Sequence, residues 1–176
     1  MSLEEIRSYK RVGERRFREV HGLFYEDVVV GEIVEHRPGR TVTETDNLWQ
    51  SLLALNPNPL HIDAAYAEKT EWGKPLVSSL VTLSIVTGMS VNSTSFRTIA
   101  NLGWDEVRLL APVFAGDTLY AETEFLEKRL SRSRPAQGLV TCATRGLKAD
   151  GTVFLTFKRT FLLPTREHAG MEGENY

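Results

Sequence analysis

His61 is the side chain best suited to moving a proton. It closes the run Asn56-Pro57-Asn58-Pro59-Leu60-His61, in which each asparagine precedes a proline and is pushed toward extended geometry. An imidazole held on such a stiff loop titrates near neutrality when unperturbed. The same context suits a structural histidine bonded to backbone carbonyls, and the residues alone leave the two readings level. Five positions upstream, the Asn56 amide takes no proton at any accessible pH. A carboxylate for His61 would have to be Asp46 or Asp63, and each has a plainer use, Asp46 at a helix start and Asp63 as N-cap of the turn at Ala64. Ser78 and Ser79 stand where a long apolar segment begins. A helix N-terminus there offers unpaired N–H groups and a positive end, or the serines are small residues under a close sheet. Arg132 and Arg134 flank Ser133 in an Arg-Ser-Arg-Pro run, as phosphate-binding forks or as a solvated loop.

The elements that would position these groups follow from pattern. Residues 31–43 read as an entry strand that Pro38 and Gly39 interrupt, which implies an edge or a bend. A helix capped at Thr43 or Thr45 follows, with Leu48, Trp49, Leu52, Leu53 and Leu55 as its apolar stripe. It ends at the prolines, and residues 63–69 form a short helical turn. Residues 75–91 are apolar in every helical direction, with only Ser, Thr and Gly in the gaps, so the helix there is buried and wrapped by a curved sheet. Four strands supply that sheet, at 100–110, 118–129, 138–148 and 152–163. In the second, Leu119, Ala121, Thr123 and Phe125 share a face; Asp150-Gly151 makes a hairpin of the last two. The pattern predicts an α+β hotdog fold, a curved antiparallel sheet around a central helix. Its free edge and open helix flank predict a homodimer. The expected layout is a charged arm at 1–22, read as a solvated helix or ordered segment, one domain at 23–165 and a frayed tail at 166–176.

Composition narrows the function classes. With 21 Lys plus Arg interspersed among 23 Asp plus Glu, there is no electrostatic footprint for nucleic acid or anionic lipid. A single cysteine, Cys142, excludes an internal disulfide framework, and no cluster has metal-ligand spacing. Cys142 reads as a small core residue, the tryptophans at 49, 72 and 104 as packing, and His21, His36 and His168 as surface. The first ten residues lack the apolar stretch of a secretion signal, and no run is long enough for a membrane span. The expectation is a cytoplasmic protein. No nucleophile elbow, phosphate loop or dinucleotide fingerprint is present.

Thr41-Val-Thr-Glu-Thr-Asp-Asn47 followed by Asn56-Pro-Asn-Pro-Leu-His-Ile-Asp-Ala-Ala-Tyr-Ala67 resembles the signature of the MaoC-like dehydratases, the (R)-specific enoyl-CoA hydratase group. Residues 112–119, Pro-Val-Phe-Ala-Gly-Asp-Thr-Leu, resemble that family's strand-start turn. Residues 100–108 and 131–135 look like the subgroup acting on mesaconyl-CoA and methylmalyl-CoA. The resemblance covers roughly residues 22–163. It implies reversible hydration of an enoyl-CoA thioester, with no metal or redox cofactor and coenzyme A arriving as part of the substrate. By that resemblance His61 transfers protons, Asn56 stands where the family has its aspartate and orients water, amides near Ser78 and Ser79 polarise the carbonyl, and Arg132 and Arg134 meet the coenzyme A phosphates. The family's His-Gly at the helix start is absent. Arg108 or Lys74 could meet a second substrate carboxylate. An acyl-CoA thioesterase on the same fold and a non-catalytic acyl-CoA-binding protein are the alternatives, the latter because Asn56 replaces the aspartate.

Overall fold

The computed structural model describes residues 8–168. Two strands, β1 (Tyr9–Gly13) and β2 (Arg16–Glu19), pair as an antiparallel hairpin. The charged arm is therefore a hairpin over 9–19 where a helix was one expectation. Arg11 lies over the Phe17 ring at 4.7 Å, a cross-strand pair that an extended ribbon provides. Residues 1–7 of the arm lie outside the described residues. Of the tail, residues 166–168 form a single helical turn and 169–176 are outside the described residues.

The body is a five-stranded antiparallel sheet with α1 (Glu44–Leu53), α2 (Pro59–Ile62), α3 (Ala64–Ala67) and α4 (Ser79–Ser90). Its strands are β3 (Ile33–Thr41), β4 (Ala100–Leu109), β5 (Thr118–Leu130), β6 (Gln137–Lys148) and β7 (Val153–Pro164), ordered β3-β5-β6-β7-β4. All four ladders are antiparallel, and the register of β3 shifts between His36 and Arg40, around the Pro38-Gly39 bend. The Asp150-Gly151 turn closes β6 onto β7, with Gly151 at φ 87° and Asp150 Oδ1 accepting the Thr152 amide at 2.9 Å. No helix among the described residues is long and apolar enough to cross a membrane.

Val81, Ile85 and Val86 of α4 pack on Leu119, Ala121, Leu155 and Phe157 of the sheet. A Cβ at Gly146 would stand 2.9 Å from Val86 Cγ2 and 2.5 Å from Phe154 Cζ, so the sheet approaches the helix this closely only through glycine. The opposite flank, at Leu80, Ser84 and Gly88, is exposed. The sheet wraps one side of the central helix and leaves the other as the open flank the sequence predicted, because one sheet reaches only one side of it. A reversal concerns α1. Its buried residues are Asn47 and Ser51, while Trp49 is 67% exposed, Leu53 78% and Leu55 88%. The helix turns its polar side to the body and its apolar stripe outward. Trp104 on β4 is likewise exposed, so neither it nor Trp49 packs inside this chain.

Between the apolar cluster around α4 and a second one, centred on Phe125, Val140 and Phe161, runs a buried polar layer. The α4 helix continues as a π-helical turn, Val91–Ser95, that offers hydroxyls to it. His36 is 2% exposed, correcting its expected surface position. Its Nδ1 and Nε2 each lie 2.7 Å from a hydroxyl, of Ser93 and Thr123. Arg159 Nη2 donates to Ser90 and Ser95 at 3.3 and 3.1 Å. Burial, with the positive charges of Arg159 and Arg37, outweighs Glu122 and pushes the His36 pKa from 6.5 down to about 4. The unfolded chain therefore takes up a proton at position 36 as pH falls below about 6.5, while the folded chain resists it until about 4. Stability present above that window is expected to drain away across it. Urea unfolding between pH 7 and pH 4.5 should give a midpoint that falls more steeply for wild type than for His36→Gln; equal slopes would remove His36 as the cause.

Candidate functional site

Between residues 43 and 66 local side-chain caps set the course of the chain. Thr43 and Asp46 form a reciprocal capping box at the start of α1, Thr43 Oγ1 accepting the Asp46 amide at 3.2 Å and Asp46 Oδ2 accepting the Thr43 amide at 2.8 Å. Asp46 also pairs with Arg40. The Thr43 hydrogen bonds and Arg40 outweigh desolvation and hold its carboxyl below the usual range. After α1, Leu55 takes a positive φ of 53° and the chain turns back. Asn56 Oδ1 accepts the Asn58 amide at 3.3 Å, and Asn58 Oδ1 accepts that of Leu60 at 3.0 Å. Pro59 then occupies the first position of α2, where its missing N–H costs nothing. His61 therefore sits in a one-turn helix where a loop was expected. Asp63 accepts the Tyr66 amide at 3.0 Å and caps α3. Both carboxylates considered for His61 are engaged as helix caps.

His61 Nδ1 lies 2.8 Å from the carbonyl oxygen of Leu76. A carbonyl only accepts, so Nδ1 carries the proton, and in the neutral ring Nε2 is left with its lone pair. The expected alternatives, a structural histidine on a carbonyl and a proton-transfer group, turn out to use different nitrogens of one ring. The side chain lines two clefts of about 350 Å³ each. One is floored by Ser79 and Thr82 of α4 and walled by Trp72, Val113 and Phe154. The other is shared with Asn47, Glu44, Trp49 and Lys74, whose Nζ rests 4.5 Å from the Phe114 ring centroid. The turn at 112–119 supports the first wall. Asp117 Oδ2 accepts the Phe114 amide at 3.0 Å, Asp117 pairs with Lys148 at 2.7 Å, and the Val113 carbonyl accepts the Val77 amide at 2.9 Å.

Ser78 is the N-cap of α4 and is buried, but its amide is already taken, donating to Asn47 Oδ1 at 2.9 Å. The amides of Ser79 and Leu80, next along the helix, have no backbone or side-chain acceptor among the described residues. The structure therefore brings His61 and Ser79 to one cleft, with Ser78 directly behind it. Asn56 lines neither cleft. Arg132 and Arg134 lie in the turn between β5 and β6, whereas the His61 cleft lies toward the opposite end of the sheet, beside Leu109 and Val113. That is about 30 Å along β6 at about 3.3 Å per residue, so one chain does not join the arginine pair to His61. Arg108 is on exposed β4 and lines neither cleft. No group of three or more His, Cys, Asp or Glu among the described residues could hold a metal ion.

Asn47 was missed as a site residue, although it ends the first quoted motif. Asn47 and Ser51 are one helical turn apart on the side of α1 away from its leucines, a spacing that marks a polar face.

A curved antiparallel sheet laid along one helix, with the helix start open to a cleft, is the hotdog fold in the form found in MaoC-like dehydratases. The mesaconyl-CoA hydratase family model matches residues 4–176, and the chain belongs to that family. Mesaconyl-CoA hydratase of Cereibacter sphaeroides is 32% identical over 148 residues, covering 84% of this chain and 43% of the relative. Among solved structures, the monoamine oxidase regulatory protein from Archaeoglobus fulgius is 34% identical with a TM-score of 0.73, covering 82% of this chain and 95% of that one. A MaoC domain dehydratase from Chloroflexus aurantiacus is 28% identical with a TM-score of 0.77, covering 82% of this chain and 41% of that one. The chain spans about half the length of the curated mesaconyl-CoA hydratases it matches.

Proposed function

We propose that this chain catalyses reversible addition of water to an enoyl-CoA thioester, with a mesaconyl-CoA or methylmalyl-CoA type of acyl group. The observation that carries the reading is the His61–Leu76 hydrogen bond, which fixes the proton on Nδ1 and leaves Nε2 as a base in the cleft that Ser79, at the start of α4, also lines. Family membership and the names of the relatives support the same chemistry.

In this reading Nε2 takes a proton from water as the water oxygen bonds to the β carbon. Electron density moves through the α carbon to the thioester oxygen. There the Ser79 amide and the positive end of α4 oppose the growing charge. The imidazolium then returns the proton to the α carbon, so one ring serves as base and acid. Asn56 acts by shaping the turn that presents His61, because its Oδ1 is committed to the Asn58 amide. Lys74, which lines the second cleft with His61, is the cation offered to a further substrate carboxylate, and Arg132 and Arg134 stay outside the acyl site within one chain. The residues require no metal or redox group for this step. The exposed apolar face of α1 and the unpaired edge of β4 support a homodimer with a second copy covering them.

Incubation with mesaconyl-CoA and crotonyl-CoA, followed by mass, is expected to give a water adduct with wild type and at least about a hundredfold less with folded His61→Ala. Thiol release without adduct would favour a thioesterase. Tight binding with no turnover, unchanged in His61→Ala, would favour an acyl-CoA-binding protein. Sedimentation equilibrium is expected to give twice the chain mass for wild type and a monomer for Leu53→Glu; a wild-type monomer would remove the dimer.

A further inference from the structure

Asn47 is 4% exposed, and its side-chain amide is bonded only to backbone. Nδ2 donates to the carbonyls of His61 at 2.8 Å and Leu76 at 3.2 Å, while Oδ1 accepts the Ser78 amide at 2.9 Å. Two carbonyls and one N–H fix which end of the amide is which. The Leu76 carbonyl is also the acceptor of His61 Nδ1. One carboxamide on α1 therefore holds the backbone of the imidazole, the atom that sets its tautomer, and the amide immediately before the free N–H of Ser79. We propose that Asn47 is a positioning residue for the hydration step, setting where His61 Nε2 stands relative to the Ser79 amide and keeping the ring proton on Nδ1.

The inference rests on the hydratase reading for its chemistry, but its geometry does not. No other residue type supplies two donors and one acceptor from so short a side chain. Asp keeps the shape and loses both donors, so the oxygen in place of Nδ2 faces two carbonyl oxygens. The tether opens, and the His61 ring is free to turn its proton to Nε2, the nitrogen that must stay bare to accept one. The Ser78 amide retains its acceptor in that variant, which separates loss of the donors to the two carbonyls from loss of the contact to the start of α4. A displacement of about 1 Å at a reacting group costs about a hundredfold in rate.

The test is ring-labelled histidine NMR on the full chain, with the His61 signal assigned by its absence in His61→Ala, on wild type, Asn47→Asp and Asn47→Ser. Wild type is expected to show His61 as the Nδ1–H tautomer and the variants a mixture rich in Nε2–H. With mesaconyl-CoA, kcat is expected to fall about a hundredfold in both variants while KM changes by less than about threefold. A wild-type ring protonated on Nε2 overturns the proposal without any variant. So does a folded variant that keeps the wild-type tautomer, or one that loses kcat and KM in step with its stability. A tautomer change in a chain that hydrates nothing would retain the tether and sink the hydratase reading instead.

Discussion

One backbone oxygen, that of Leu76, accepts from both His61 Nδ1 and Asn47 Nδ2. This half-buried carbonyl is paired twice, by groups from different elements. The sharing ties the N-terminus of α4 to α1 and to the turn that carries His61. It also explains the odd orientation of α1. To deliver Asn47 inward the helix must present its polar side to the body, and its tryptophan and leucines are left facing out. The apolar surface of this chain and the protonation of its imidazole are two consequences of one hydrogen-bonding requirement.

The interior likewise interrupts its apolar core with a polar layer, hydrogen-bonded except at Arg159 Nε, which is buried without a partner. His36, Arg159 and the hydroxyls of Ser90, Ser93, Ser95, Thr123 and Thr144 form a layer between two hydrophobic clusters. The π-helical turn after α4 widens the helix where the Arg159 guanidinium arrives. Each buried neutral hydrogen bond contributes only about 1 kcal/mol net, whereas each orphaned group costs about 1–3 kcal/mol. Such a layer therefore fixes register more than it adds stability. Thr123 pairs across to Thr144, and a one-residue slip would break their hydroxyl contact at 2.9 Å.

Much of this architecture was legible in the chain. The alternation of Leu119, Ala121, Thr123 and Phe125, the Asp-Gly hairpin and the uncharged run at 75–91 determined strand faces, a turn and a central helix because each is a local signal. The strand order was not local: β4 pairs with β7, not with its sequence neighbour β5, and no short-range pattern encodes that. Isolated polar residues misled. His36 looked like surface because its partners, Ser93 and Thr123, are 57 and 87 residues away. At the site, His61 and the helix start carried side-chain signals. The Leu76 carbonyl carried none, and Asn47 gave only its spacing from Ser51. The arginines at 132 and 134 have the right chemistry for phosphate, and only the sheet's length separates them from the histidine.

In the proposed reaction His61 Nε2 and the Ser79 amide converge on one thioester. The most direct measurement is a crystal structure of His61→Ala holding unreacted mesaconyl-CoA. The thioester oxygen is expected within hydrogen-bonding distance of the Ser79 amide, with the β carbon facing the space the imidazole vacates. A thioester bound away from the start of α4, or one whose carbonyl meets only solvent, would contradict this convergence.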